Sequence, residues 1–154
     1  MKILAVADFF YPDTIGGSAI MAYEIMREMV SRGHEVTVVA RSKQGLATRD
    51  SIEGMDIVRY EMPARQILYP LGVARAEGII KSLLSEKEYH VINMHHAAAG
   101  IAAERARRDK YSAASVFVFQ GPWYKEAMAK EGQLEAATQG DTSMLHPKYR
   151  ARKW

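Results

Sequence analysis

The sequence predicts an α/β fold, a Rossmann-like open parallel sheet with helices on both faces. Three observations carry this. Short apolar runs of strand length recur at residues 3–7, 35–40, 90–94 and 115–119. Between them lie stretches with apolar residues at three- and four-residue spacing, the pattern of helices buried along one side. The connections are short, and alternating strands and helices with short connections imply parallel strands joined by crossover helices.

The first unit, residues 2–41, organises the rest. Its opening strand, Ile3-Leu4-Ala5-Val6-Ala7, is continuously apolar, as a strand covered on both faces must be. A loop with Pro12 and the pair Gly16-Gly17 follows. Ser18 is the expected N-cap of the next helix, its hydroxyl placed to accept from a first-turn N–H. In that helix Ala19, Ala22, Tyr23, Met26, Met29 and Val30 form the apolar face, and Glu24, Arg27, Glu28 and Ser31 the wet one. Gly33 ends it at C′, and Glu35-Val36-Thr37-Val38-Val39-Ala40 is the second strand.

A polar connection, residues 42–51, leads to a turn at Glu53-Gly54 and a strand at residues 55–60, with a short neighbouring hairpin as an option. Residues 62–72 contain two prolines and read as an irregular surface segment. A helix over residues 73–86 follows, with Ala76, Ile79, Ile80, Leu83 and Leu84 as its stripe. The strand at 90–94 ends in His95-His96. Residues 97–108 read as a small-residue helix with a basic end, favourable at a C-terminal dipole. A fifth strand at 115–119 runs into Gln120-Gly121-Pro122-Trp123. Residues 124–135 have helical character, and the basic end, residues 146–154, reads as solvated tail.

At 154 residues the chain is one domain's worth with room for a core, and 48% apolar and 25% charged content is ordinary for a globular protein. The absence of cysteine excludes disulfide and thiolate chemistry and fits a reducing cytoplasm. The run after Lys2 is too short for a secretory h-region, and no stretch reaches membrane-spanning length. A net charge of +3 without a recognisable nucleic-acid module gives no reason to expect nucleic acid as a partner.

In open parallel sheets the ligand crevice lies outside the carboxyl ends of the strands. Four segments converge there: residues 8–17, the loop after Ala40, residues 93–100 and residues 120–124. Gly16 and Gly17 admit a ligand to the backbone, and the free N–H groups of a helix start favour phosphate or diphosphate. The plain alternative is a turn. No G-x-G-x-x-G follows the strand, so a nicotinamide or flavin cofactor is not expected. His95 and His96, adjacent at a strand end, point opposite ways, and no third ligand stands at a metal-site spacing, so no metal is expected. Trp123 is placed either to stack on a ligand at the crevice or to fill a core. The basic residues 105–110 read first as a solvated helix end, and second as a contact for an anionic membrane or lipid diphosphate.

Several stretches together resemble the N-terminal half of a GT-B glycosyltransferase of the family 4 type. They are the opening strand, Tyr11-Pro12 before Ile15-Gly16-Gly17, and Arg32-Gly33-His34-Glu35-Val36-Thr37-Val38. Val91-Ile92-Asn93-Met94-His95 before Gly100, and Val116-Phe117-Val118-Phe119-Gln120-Gly121-Pro122-Trp123, complete the set over residues 1–124. The resemblance implies a Rossmann-like N-terminal domain at 1–124, with 125–154 as a helical or partly disordered tail that ends before a second, nucleotide-sugar domain.

It implies retaining transfer of a sugar from a nucleotide-diphosphate donor to a glycan, glycolipid or small acceptor, without cofactor or metal. Gly16, Gly17 and Ser18 would meet the donor diphosphate. Asn93, His95, Gln120, Gly121 and Trp123 would line the acceptor and sugar cleft. The expected setting is cytoplasmic, with a peripheral place at the membrane as an option. Partners would be the nucleotide-sugar, a sugar or lipid-linked acceptor, and a C-terminal domain or companion chain, so this stretch alone would be inactive. A truncated sheet would expose an edge and self-associate.

Two positions depart from the family pattern. Gln120 stands where the family has a His, and cannot carry a proton charge, while Asn93 stands where it often has another His. A non-catalytic binding or partner module of the same fold is the alternative reading. A phospho-receiver is set aside: only Asp8 stands at the first strand's end, and Gln120 replaces the strand-end lysine.

Overall fold

The computed structural model describes residues 1–43, 45–108 and 112–119, all within the compact unit Met1–Gln120. In chain order the elements are β1 (Lys2–Ala7), α1 (Gly17–Ser31), β2 (Glu35–Arg41), β3 (Arg49–Ile52), β4 (Met55–Tyr60), α2 (Tyr69–Glu86), β5 (Val91–Met94), α3 (Ala97–Arg107) and β6 (Ala114–Phe117). Among the described residues the strands form one sheet in the order β3-β4-β2-β1-β5-β6. All neighbours are parallel except β3 and β4. The predicted α/β class, a Rossmann-like sheet with helices on both faces, is the fold observed.

Alternation along the strands makes two cores. On one face Ile3, Ala5, Ala7, Val36, Val38, Met55 and Ile57 pack under Ala22, Tyr23 and Met26 of α1. On the other, Leu4, Val6, Val39, Val58, Tyr60, Ile92 and Met94 pack under α2 and α3. Thr37, fully buried in β2, is satisfied by the Tyr89 hydroxyl, 3.1 Å from its oxygen. Each fully buried Val, Leu or Ile contributes about 1.5–3 kcal/mol, so the continuously apolar β1 is buried in both senses that its sequence predicts.

Helix boundaries show where local chemistry decides. Gly33, with φ 79°, closes α1: its N–H donates to the Val30 carbonyl (2.9 Å), and the His34 N–H donates to that of Met29 (3.1 Å). That is a Schellman closure, which needs a left-handed residue at C′. At the other end Ser18 is not the N-cap. Gly16 takes that place, no side chain caps the helix, and Ser18 is already its second residue. The glycine pair lets the helix begin two residues early, so the hydroxyl passes the capping position.

The turn at Glu53-Gly54 has φ 46° and 81°, the two left-handed residues of a type I′ hairpin, and it makes β3 the short partner of β4. The segment 62–72 is less irregular than its prolines suggest. It holds a 3₁₀ turn (Gln66–Leu68) and the first turn of α2, which starts four residues before the predicted one. Pro70 lies in that first turn, where its missing N–H costs nothing.

Candidate functional site

Chain order places the crevice. From β1 the chain moves to β2 and β4 on one side, then α2 carries it back to β5 and β6 on the other. α1 leaves β1 on one face of the sheet, and α3 leaves β5 on the opposite face. The carboxyl ends of β1 and β5 are therefore the switch point, where such sheets bind ligands.

The loop after β1, residues 8–16, is held by buried polar contacts. Asp8 is 8% exposed, and its carboxylate accepts from the Tyr60 hydroxyl at 2.7 Å. Burial, then the Asp8 charge, raises the Tyr60 phenol well above its ordinary range, and the same two causes raise Tyr69. Asp13, likewise 8% exposed, takes both arms of the Arg59 guanidinium, with Nη2 3.0 Å from Oδ1 and Nε on Oδ2. Donating these hydrogen bonds to Asp13 raises the Arg59 pKa further. Arg59 Nη1 also donates to the Ala47 carbonyl (2.9 Å), and Nη2 reaches Asp50 (3.3 Å). Within the loop the Thr14 N–H donates to the Phe10 carbonyl at 2.9 Å.

The loop delivers Gly16, Gly17 and Ser18 to the start of α1. Gly16 is extended (φ 168°), a conformation open to any residue. A Cβ on Gly16 or on Gly17 would meet nothing within 4 Å among the described residues. Neither backbone conformation nor internal packing asks for glycine here. Among the described residues no side chain caps this helix start and its first turn holds no acidic residue, and first-turn N–H groups lack helical acceptors.

On the neighbouring strand, Asn93 lies within β5, paired with Ala5 and Val116, and His95 follows the strand, its N–H donating to the Val6 carbonyl at 3.0 Å. His95 is only 2% exposed, and burial, then His96, lowers its pKa to about 4, so the ring is neutral at pH 7. His96 stands at the N-cap position of α3 in extended conformation: its Nδ1 accepts from the Asp8 N–H at 3.2 Å, and its ring meets Phe9 edge-on at 5.3 Å. That hydrogen bond puts the His96 proton on Nε2. Burial lowers the His96 pKa against the opposing pull of Asp8. Among the described residues, His96 Nε2 and Asn93 Oδ1 are buried without a hydrogen-bond partner.

The structure thus brings the glycine pair and the two histidines to one sheet edge, with Asn93 one residue pair deeper in β5. Gln120, Gly121 and Trp123 lie outside the described residues, as do the helical character at 124–135 and the basic end. The sequence reading brings residues 8–17, with Asp8 and Asp13, to the crevice, but it does not anticipate Arg59 and Tyr60 as their buried partners. A signal existed for Arg59: a charged residue at an inward position of Met55-Asp56-Ile57-Val58-Arg59-Tyr60 needs a buried partner. Nothing local identifies that partner as Asp13, 46 residues earlier.

Among the described residues no group of three or more His, Asp or Glu is placed to hold a metal ion. No helix among them is long and apolar enough to cross a membrane. Comparison with curated proteins finds no match. The profile of the glycosyl transferase 4-like domain matches residues 16–144, most of the chain, including the glycine pair, Arg59, Tyr60 and the two histidines but not the loop before Gly16. The chain therefore belongs to the glycosyl transferase 4-like domain family.

Proposed function

We propose that the chain is the acceptor-side half of a retaining glycosyltransferase that moves a sugar from a nucleotide-diphosphate donor to a glycan, glycolipid or small acceptor. One observation carries the reading. Among the described residues nothing gives Gly16 and Gly17 an internal reason to be glycine, and close approach of a ligand supplies a physical reason for the pair. The guest suited to an uncapped helix start of fifteen residues is an anion. When a glycosyl bond to a diphosphate breaks, negative charge grows on the departing phosphate. The first-turn N–H groups of Gly17 and Ser18 would stabilise it without reorganising, and the dipole adds about 0.3–1 kcal/mol.

Asn93 and His95, with Gln120, Gly121 and Trp123, would line the acceptor and sugar cleft. A neutral His95 serves there as a hydrogen-bonding group rather than a charged one, and Gln120 in place of a histidine is consistent with a site that moves no proton at that position. No metal or cofactor is required, because the backbone dipoles supply the positive potential.

The test is a thermal-shift titration of the chain with UDP, GDP and their sugar conjugates, repeated on Gly17→Trp. Saturable stabilisation of the parent, abolished in the variant, supports the reading. A nucleotide response equal in both proteins would remove the diphosphate from the glycine loop.

A further inference from the structure

Two consecutive residues at the end of β4 grip the loop after β1 from opposite faces of the sheet. Arg59 lies on the α1 side, in line with Met55 and Ile57, and holds Asp13. Tyr60 lies on the α2 and α3 side and holds Asp8. We propose that the Arg59–Asp13 pair is a positioning device for the donor site: it fixes the loop conformation in which the start of α1 is presented to the donor diphosphate. The inference rests on the reading of Gly16 and Gly17 given above.

The geometry favours a positioning role over a stabilising one. Side chains of Arg59 and Asp13 are 1% and 5% exposed. A buried ion pair recovers little net stability relative to an apolar pair, because desolvation offsets the attraction. What it provides is direction. A guanidinium fork meets a carboxylate in one plane, with two bonds at fixed spacing. Arg59 is itself immovable: it pairs with Ala40 in the sheet, its N–H donates to the Thr48 carbonyl at 2.7 Å, and Nη1 is tied to the Ala47 carbonyl. Only two residues, Thr14 and Ile15, separate Asp13 from Gly16. With at most about 3.3–3.6 Å of reach per residue, a fixed Asp13 confines where Gly16 and the first turn of α1 can sit. Arg59 and Asp13 touch no reacting atom in this scheme; they act through the backbone they hold.

The double variant Asp13→Leu/Arg59→Met separates the two roles, since it removes the charges as a pair and keeps the side chains large. Arg59→Lys is the conservative companion, with charge but no fork. Two amides report the loop directly by hydrogen exchange: Thr14, bonded to Phe10, and Ile20, bonded to Gly16. In the double variant we expect both to exchange about tenfold faster or more, while β1 and β2 amides keep the parent's protection. Arg59→Lys should show a smaller acceleration at the same two amides. Parent-like exchange at Thr14 and Ile20 in either folded variant would overturn the proposal. The nucleotide titration is read alongside. A parent that responds and a folded double variant whose half-saturation rises about tenfold support it, whereas an unchanged half-saturation overturns it. A parent with no nucleotide response counts against the diphosphate reading of the glycines, and exchange then decides on its own whether the pair positions the loop.

Discussion

The first turns of α1 and α2 each contain glycine, for opposite reasons. In α2 a Cβ on Gly72 would stand 2.1 Å from Met62 Sδ and 3.2 Å from Pro63 Cδ. That glycine lets the incoming segment cross the helix, and it is buried. At the start of α1 a Cβ on Gly16 or Gly17 would touch nothing among the described residues. The approaches differ as well. The loop into α1 is clamped by an ion pair out of water, whereas the segment into α2 is joined to its helix by Arg75 and Glu61, 3.5 Å apart with side chains 44% and 81% exposed. One start is packed and loosely tethered, the other open and rigidly held. A ligand site needs the second combination, because an open backbone binds well only if it is already in place.

Breaking the tethers should show the largest contrast. Arg59→Ala leaves the Asp13 charge buried and unpaired, and should cost about 3–5 kcal/mol of stability, whereas Arg75→Ala should stay within about 0.5 kcal/mol. Chemical denaturation of both variants checks this, and equal losses would erase the distinction between the two approaches.

The buried edge beside the open helix start should be visible in pH. Unfolded His95 titrates near its ordinary 6.5, whereas folded His95 resists protonation until about 4. Stability present above pH 6.5 is therefore lost as pH falls from 6.5 to 4, by about 3 kcal/mol, because the unfolded chain takes up the proton first. His95→Gln should flatten melting temperature against pH across that window. An unchanged slope would mean His95 is not the titrating group.

Smaller effects separate the glycines themselves. Gly72→Val should destabilise by about 1–3 kcal/mol through overpacking against Met62 and Pro63. Gly17→Ala should be neutral or stabilise by about 0.4–1 kcal/mol, since the helical backbone there accepts a Cβ and the unfolded chain loses freedom. Melts of the two purified variants suffice, and a large loss in Gly17→Ala would show an internal role for that glycine.

Much of the fold was legible because it is written in local pattern. The continuously apolar β1, the stripe of α2 and the glycine after α1 each report their surroundings through periodicity or a required φ. The start of α2 was misplaced because Pro70 is equally at home in a loop and in a first helical turn, and Ser18 lost the capping role because Gly17 already takes helical backbone and Gly16 stands at the N-cap. The site was half legible. The glycine pair and His95 stand where strand ends predict a crevice, but which neighbours hold them depends on contacts that sequence spacing does not encode.

The sequence by itself determined the alternation of strands and helices, the two-sided burial of the sheet, the edge where a ligand would meet it and the family resemblance. Tertiary structure alone decided that Arg59 reaches Asp13 across 46 residues, that Tyr60 reaches Asp8, and that the His96 ring accepts from the Asp8 N–H. The physical reason is the range of the forces involved. Hydrophobic periodicity and backbone preference act over a few residues, while a buried charge finds its partner only after the sheet has set which strand ends are neighbours.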